Sequence, residues 1–243
     1  MYKKISLSSE VQSVSIDRYN YIYFSDANDN LYKYDSTGTM VQIFSPLKKG
    51  NITLVEAWRN MNIFLFYRNF QEFVLLDRFL NPAPNKAFNR DLIRFARIAT
   101  NSFDNNLWVV DEVDFSLKKY NISMNKVELT TPLDLLLNPA QYELTHIREY
   151  QNQLFINDKN SGVLVFDIFG NYKYKLPISG ATYFNFFKDE LYYCRGNEVR
   201  FYNIYTGAER TMHVPLSGES MLALVMQGRI AVFSKKTLYI YSY

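Results

Sequence analysis

Apolar residues come in short runs along this chain, and polar residues interrupt them at near-regular intervals. Ile63–Tyr67 and Leu107–Val110 are continuous apolar stretches, too short for helices and rich in β-branched and aromatic side chains. That pattern predicts strands buried on both faces. Between the runs sit turn formers, as in Asp35–Gly38, Asp104–Asn106 and Tyr205–Gly207. A helical period is scarce. The stretch Thr131–Tyr142, bounded internally by Pro132 and Pro139, predicts at most a helical turn.

The runs repeat as a unit. An apolar strand, a short polar loop, a strand ending in an aromatic residue and then Asp or Asn recur in Tyr21–Asp35, Leu107–Asn121, Leu154–Asp167 and Leu191–Asn203. A degenerate copy occupies Ile63–Asp77, and the last copy runs from Ile230 to Tyr243. Leading strands begin near Val11, Ile52, Phe95, Glu143, Thr182 and Met221. A period of roughly 40 residues is that of propeller blades, each a four-stranded antiparallel sheet. The pattern therefore predicts an all-β fold, a six-bladed β-propeller forming a single domain over residues 1–243. The sixth unit stops after its third strand, while residues 2–8 precede the first unit without a partner of their own. An unpaired edge is a liability, so residues 2–8 are predicted to supply the last blade's fourth strand.

This blade pattern resembles bacterial six-bladed propellers of the NHL and TolB-like kind. The Gly-His and Trp-Asp dipeptides of WD40 repeats are absent. The resemblance implies binding at one end of the ring, through blade-to-blade connections and the loops between second and third strands.

Composition adds bulk and removes some chemistry. Hydrophobic residues make up 48% of the chain and aromatics 17%, with 20 Tyr and 19 Phe. The net charge of +3 is scattered in doublets such as Lys48-Lys49 and Lys118-Lys119, not gathered into the basic stripe of a nucleic-acid binder. One cysteine, Cys194, can form neither an internal disulfide nor a metal motif. No apolar run is long enough to span a membrane. Strand-like sequence begins at Tyr2, so Met1 is compatible with replacement of a removed export signal or lipid anchor.

Two connections look long, around residues 81–93 and 130–142. They carry Phe88, Leu135, Leu136 and Leu137 beside prolines. Exposed, these side chains would make an apolar patch for a protein partner; tucked in, they plug the ring. The loops after the second strands alternate Asp26, Asp111 and Asp158 with Arg68, Arg195, Lys235 and Lys236. Such a rim would suit a protein surface or a polar ligand, or simply form turns. No cofactor is expected.

Catalytic signatures such as GxSxG, GxGxxG and the P-loop are absent. Asp17, Glu56, Asn101, His146, Glu149 and Asp189 fall on or near leading strands, where propeller lactonases and lyases hold a cation, and a hard ion would need several such oxygens. These residues lie at unequal depths, and the two histidines, His146 and His213, sit in different blades. The tyrosines fall inside strands, so packing is a simpler account than a sugar platform. The expectation is a non-catalytic protein-interaction platform. The Asn-, Lys-, Tyr- and Phe-rich, Gly-poor composition suggests the bacterial periplasm or cell surface, as an accessory subunit of an outer-membrane assembly or secretion complex.

Overall fold

The computed structural model describes residues 2–58, 62–215 and 221–243. Among them every regular element is a strand. Six four-stranded antiparallel sheets follow in chain order. Blade 1 is Val11–Ile16, Ile22–Asp26, Leu31–Tyr34 and Met40–Phe44. Blade 2 is Leu54–Glu56, Ile63–Tyr67, Glu72–Leu76 and the short Lys86–Ala87. Blade 3 runs from Ala96 to Pro132, blade 4 from Leu144 to Leu176 and blade 5 from Phe184 to His213. Blade 6 contains Met221–Met226, Arg229–Ser234 and Thr237–Ser242. The chain is a six-bladed β-propeller.

Blade 6 is completed from the other end of the sequence. Lys3–Ser6 pairs with Thr237–Ile240, with Ile5 opposite Leu238. The Tyr2 N–H donates to the Ile240 carbonyl at 2.8 Å, and the Leu7 N–H to that of Lys236 at 2.8 Å. Residues 2–8 thus close the last blade, as the missing fourth strand required. Ile5 and Leu7 pack on a core cluster of Val14, Ile16, Phe24, Phe233, Leu238 and Ile240.

Contacts divide the chain into two compact units. One comprises Met1–Leu65, Leu75–Pro84 and Tyr183–Tyr243; the other comprises Phe66–Val74 and Asn85–Thr182. In the first, leading strands are stitched laterally: Ser13 Oγ accepts the Val55 N–H at 3.1 Å and Ser15 Oγ the Ala57 N–H at 3.0 Å. Tyr192 turns its hydroxyl to the Val225 N–H at 3.0 Å, so the ring is buried without stranding its oxygen. In the second unit, Trp108, Phe155 and Phe166 are fully buried.

One turn recurs throughout. At Asp17, Asp35, Asp77 and Asp167 the carboxylate accepts the amides two and four residues on, at 2.8–2.9 Å. The backbone closes the same five residues, and the fourth is left-handed: Asn20, Gly38, Leu80 and Gly170 have φ of 65°, 77°, 58° and 78°. This is the three-residue hairpin loop, a tight turn followed by a left-handed residue, with an Asp supplying acceptors for amides that the ladder cannot pair. Asp26–Asn30 uses it too. Of the two glycines at this position Gly38 is pressed harder, because a Cβ there would sit 2.7 Å from both Ile5 and Ile240 Cδ1.

Buried carboxylates also seat the blade connections. Asp29 accepts the N–H groups of Gly50, Asn51 and Ile52 at 2.7–3.1 Å. Asp111 accepts those of Arg94 and Phe95 at 2.9 and 3.2 Å, and the Lys118 ammonium at 2.8 Å. Burial alone would raise the Asp111 pKa, but the bonds from Lys118, Arg94 and Phe95 outweigh it and hold the group below the usual carboxylate value.

Deleting residues 2–8 exposes the Thr237–Ser242 edge and uncovers Ile5 and Leu7 contacts, a loss on the order of 4 kcal/mol. A fall in the denaturant midpoint and concentration-dependent association by light scattering check it. Asp111→Ala leaves the Lys118 ammonium without its most buried partner and is expected to cost about 3–5 kcal/mol. A carboxylate depressed in the folded state stabilises fully above its unfolded value and ceases to do so as pH falls through the folded one. The wild type therefore loses this contribution below about pH 3.9, and the variant's deficit should shrink there in acid-titrated urea melts.

Candidate functional site

The connections expected to be long loops turn out to be structured. Residues 81–93 include the fourth strand of blade 2, Lys86–Ala87. There Phe88 is buried, its ring centroid 5.3 Å from Phe73, 5.9 Å from Tyr120 and 6.0 Å from Phe66. The start of the second stretch, residues 130–132, belongs to the fourth strand of blade 3, Lys126–Pro132. A single helical turn follows, closed by the Leu137 N–H on the Leu133 carbonyl at 2.9 Å. Leu137 is buried, Leu136 half-buried and Leu135 exposed at 92%. Of the four apolar candidates only Leu135 projects fully outward.

The charged candidates separate by type. Asp26, Asp111 and Asp158 are all buried, with relative exposures of 2% or less. Their carboxylates face the backbone: Asp158 takes the Glu143 N–H at 2.8 Å and the Ser161 hydroxyl. Arg68 is half-buried and Arg195 exposed. Where Arg68 stands in place of an aspartate, Gln71 does that work. Its Oε1 accepts the Ala96 N–H at 2.6 Å, and its Nε2 donates to the Arg68 and Ala96 carbonyls at 2.7 and 3.0 Å. In blade 6 the Lys235 carbonyl takes the Val11 N–H at 2.9 Å. A glutamine or a main-chain carbonyl in an aspartate's role leaves no sequence mark, which is why Gln71 escapes notice.

Of the residues considered for a cation site, the two glutamates are engaged in structural bonds. Glu149 accepts the Ser102 hydroxyl at 2.7 Å, the Phe103 N–H at 2.8 Å and the Trp108 indole N–H. Glu56 Oε1 accepts the Trp58 N–H at 2.8 Å, and Asp189 is exposed. His146 is buried, and burial, seconded by Arg148, pushes its pKa down to about 3. Among the described residues no three His, Cys, Asp or Glu side chains gather as a metal site.

The geometry that does gather lies at the other edge of blade 1, among the hairpin turns. A groove of about 1040 Å³ opens there between Asp17–Tyr21, Asp35–Gln42 and Asp77–Phe79. Its floor is Asp17, Tyr23 and Lys33, each under a tenth exposed. Asp17 Oδ2 accepts the Tyr23 hydroxyl at 3.0 Å. Lys33 donates to the Arg78 carbonyl at 2.8 Å and lies 4.6 and 5.6 Å from the Tyr21 and Tyr23 ring centroids. Cation–π contacts of this kind contribute about 1 kcal/mol or more when desolvated. Burial lowers the Lys33 pKa and raises that of Asp17, the latter against the pull of its hydrogen bonds. At the rim Tyr19 and Phe79 are 75% and 54% exposed. The Arg78 guanidinium stands 4.6 Å from the Phe79 ring centroid. An ammonium, a guanidinium and two exposed rings make a surface for a ligand with an apolar body and an anionic or carbonyl group.

The rim rings have counterparts. The residue two after the capping Asp or Asn is Tyr19, Phe79, Phe169 or Tyr205 in four turns, and all four are more than half exposed. Each of these turns joins first to second or third to fourth strands, the edge of its own blade opposite the second-to-third loops. The sequence does carry the spacing Asp-x-aromatic, but inside a Tyr-rich pattern it reads as strand packing.

Fold and groove place this chain in the class of β-propellers with a polar–aromatic surface groove. No protein family matches the sequence, and neither does any curated protein. Many solved structures share the fold. The WD40 β-propeller domain of Doa1 superposes with a TM-score of 0.63 at 14% identity, over 96% of this chain and 78% of that one. A streptogramin B lyase gives 0.62 at 13% identity, over 99% and 86%. YCF48 bound to D1 peptide gives 0.59 at 12%, over 99% and 96%. These likenesses establish the architecture, which hosts enzymes and non-enzymes alike.

Asp17 provides a test of the groove's floor. A carboxylate whose folded pKa is raised contributes most below its unfolded value and progressively less as pH rises through the folded one. Asn can accept the same two amides, so Asp17→Asn is expected to stay within about 1 kcal/mol of wild type at pH 7 and to lose more ground at pH 3 than at pH 7. Urea midpoints at the two pH values check the sign, which is opposite to that for Asp111.

Proposed function

We propose that this protein is a non-catalytic β-propeller, residues 1–243 acting as one domain, that serves as a protein-interaction platform. The observation that carries this reading is the groove: two rings held outward by aspartate-capped turns, beside Arg78 and above a buried lysine. Isolated exposed apolar residues are ordinary on a surface, but here aromatics recur at one turn position. Aromatic and Arg anchors are the residue types enriched at interface hot spots. The fold accommodates such partners, since YCF48 has been solved with a peptide bound. The reading extends to an accessory role in a bacterial cell-envelope complex; a composition of 20 Tyr and 19 Phe with only 9 Gly supports that extension. Among the described residues no helix is long and apolar enough to cross a membrane. A metal-dependent lactonase or lyase has less support, because Glu149 is committed to structural bonds with Ser102, Phe103 and Trp108.

A photo-cross-linking amino acid placed at Tyr19, Phe79 or Leu135, in cells expressing the protein natively, tests the assignment. Discrete cross-linked species are expected from positions 19 and 79, and Arg78→Glu should reduce them at least about tenfold. Species arising at 135 alone, or at none of the three, would overturn it.

A further inference from the structure

The fourth strands are the sheet edges that propeller closure leaves open, and blade 1 departs from the others. Five carry formal charge: Lys3 and Lys4, Lys86, Lys126 and Glu128, Lys173 and Lys175, Glu209 and Arg210. Charges on an edge, lysine above all, deter further strand pairing. The blade 1 strand, Met40-Val-Gln-Ile-Phe44, carries none and pairs on one side only, with Leu31–Tyr34. Met40, Val41 and Ile43 are exposed at 55%, 51% and 46%, and Leu47 beyond them is fully exposed. A register shift near Val41 marks a bulge, but blades 3 and 4 have one in the same strand. Charge is therefore the safeguard that blade 1 lacks.

The sequence of this edge reads alike in both directions. Around Gln42 as centre, Val41 mirrors Ile43, Met40 mirrors Phe44 and Thr39 mirrors Ser45. Two copies laid antiparallel about a two-fold axis at Gln42 therefore set Val41 opposite Ile43, Met40 opposite Phe44 and hydroxyl opposite hydroxyl. β-Branched and Thr–Ser pairs are favourable cross-strand neighbours. A two-fold contact asks for this self-complementarity, because each residue pair in it occurs twice. Charge agrees and fixes the direction. No formal charge falls between Ser36 and Leu47; Asp35 stands at one end, Lys48 and Lys49 at the other. The Asp35 turn amides and the Thr37 hydroxyl all bond to Oδ1. Lys3, which also faces Asp35, gives its ammonium to the Gly38 carbonyl at 2.8 Å. Lys49 is exposed. The same register turns Asp35 of each copy toward Lys49 of the other, whereas parallel addition would bring lysines to lysines. The groove alongside sets Asp17, Asp35 and Asp77 against Lys33 and Arg78, a nearly balanced lining that does not repel a copy.

We propose that Met40–Phe44 is a dimerisation edge: a second copy of this chain pairs antiparallel with it about a two-fold axis at Gln42, joining two four-stranded blade 1 sheets into one. The proposal goes beyond the platform reading and does not depend on it. Main-chain pairing supplies the contact, as in other edge-strand recognition, and the mirrored side chains fix the register. A foreign strand would have to offer the same apolar order with an acid before it and a base after it. The chain's own edge has both.

Sedimentation velocity of the full chain over a concentration series tests this, with amide hydrogen exchange at the two ends of the series. A reversible monomer–dimer equilibrium is expected, with added protection at residues 39–45 in the dimer. Ile43→Lys puts a charge into the interface twice and should raise the dissociation constant at least about tenfold. Adding Val41→Glu to that variant sets an acid opposite each new base in this register alone, and should recover most of the loss. Both positions are exposed, and an unchanged far-ultraviolet spectrum confirms the fold. A protein that stays monomeric up to about 1 mM overturns the inference. So does a dimer that tolerates Ile43→Lys, because it uses another surface. A dimer that Ile43→Lys breaks and Val41→Glu does not restore uses another register and overturns it too. Cross-links from Tyr19 and Phe79 to a different protein decide the platform reading separately, in the wild type and in the Ile43→Lys variant alike.

Discussion

A β-sheet ladder leaves the amides of its turns unpaired, and in this protein carboxylates answer that need. An Asp at a strand end takes two turn amides, permits a left-handed residue before the next strand, and fixes the hairpin's register. Buried relatives of the same interaction, at Asp29, Asp111 and Asp158, seat the incoming leading strands of blades 2, 3 and 4. Blades of short strands depend on this, because a one-residue slip would move every side chain to the opposite face of its sheet.

Much of this architecture is legible in the sequence. Six apolar units at near-constant spacing, the last short by one strand, point to a propeller closed by residues 2–8, and the pairing of Ile5 with Leu238 follows that logic. Less legible is what the punctuation does. Asp26, Asp111 and Asp158 have the spacing of a charged rim, yet their oxygens point at backbone amides. Sequence records that an aspartate is present, not whether its lone pairs are already taken. Phe88 shows the same limit: a phenylalanine between prolines and asparagines reads as a loop residue, and only the three rings around it explain its burial.

The groove was hidden for a related reason. Tyr19, Tyr21 and Tyr23 alternate in the sequence as strand residues do, but the first stands in a turn at 75% exposure and the third is buried at 2%. Lys33 and Phe79 come from separate blades, and no local pattern links them. Attention drawn to conspicuous connections therefore falls on one edge of the blades, while the outward rings of blades 1 and 2 gather at the other. A ring held by a capped turn loses little freedom on binding, which suits it to recognition more than a flexible loop side chain would be.

The closing strand also orders events in time. Lys3 pairs with Ile240, so the closing segment meets partners made more than 200 residues after it. Ribosomal synthesis at about 5–20 residues per second keeps that segment waiting for tens of seconds, with Ile5 and Leu7 uncovered. Closure over so long a loop carries an entropy cost of roughly 5 kcal/mol, although lengthening the loop further adds little. Blades 1–5 can consolidate by local hairpins during that interval. Completion of blade 6 is then a late, long-range event, and the nascent chain remains open to chaperones or to neighbouring copies until its final strand is made.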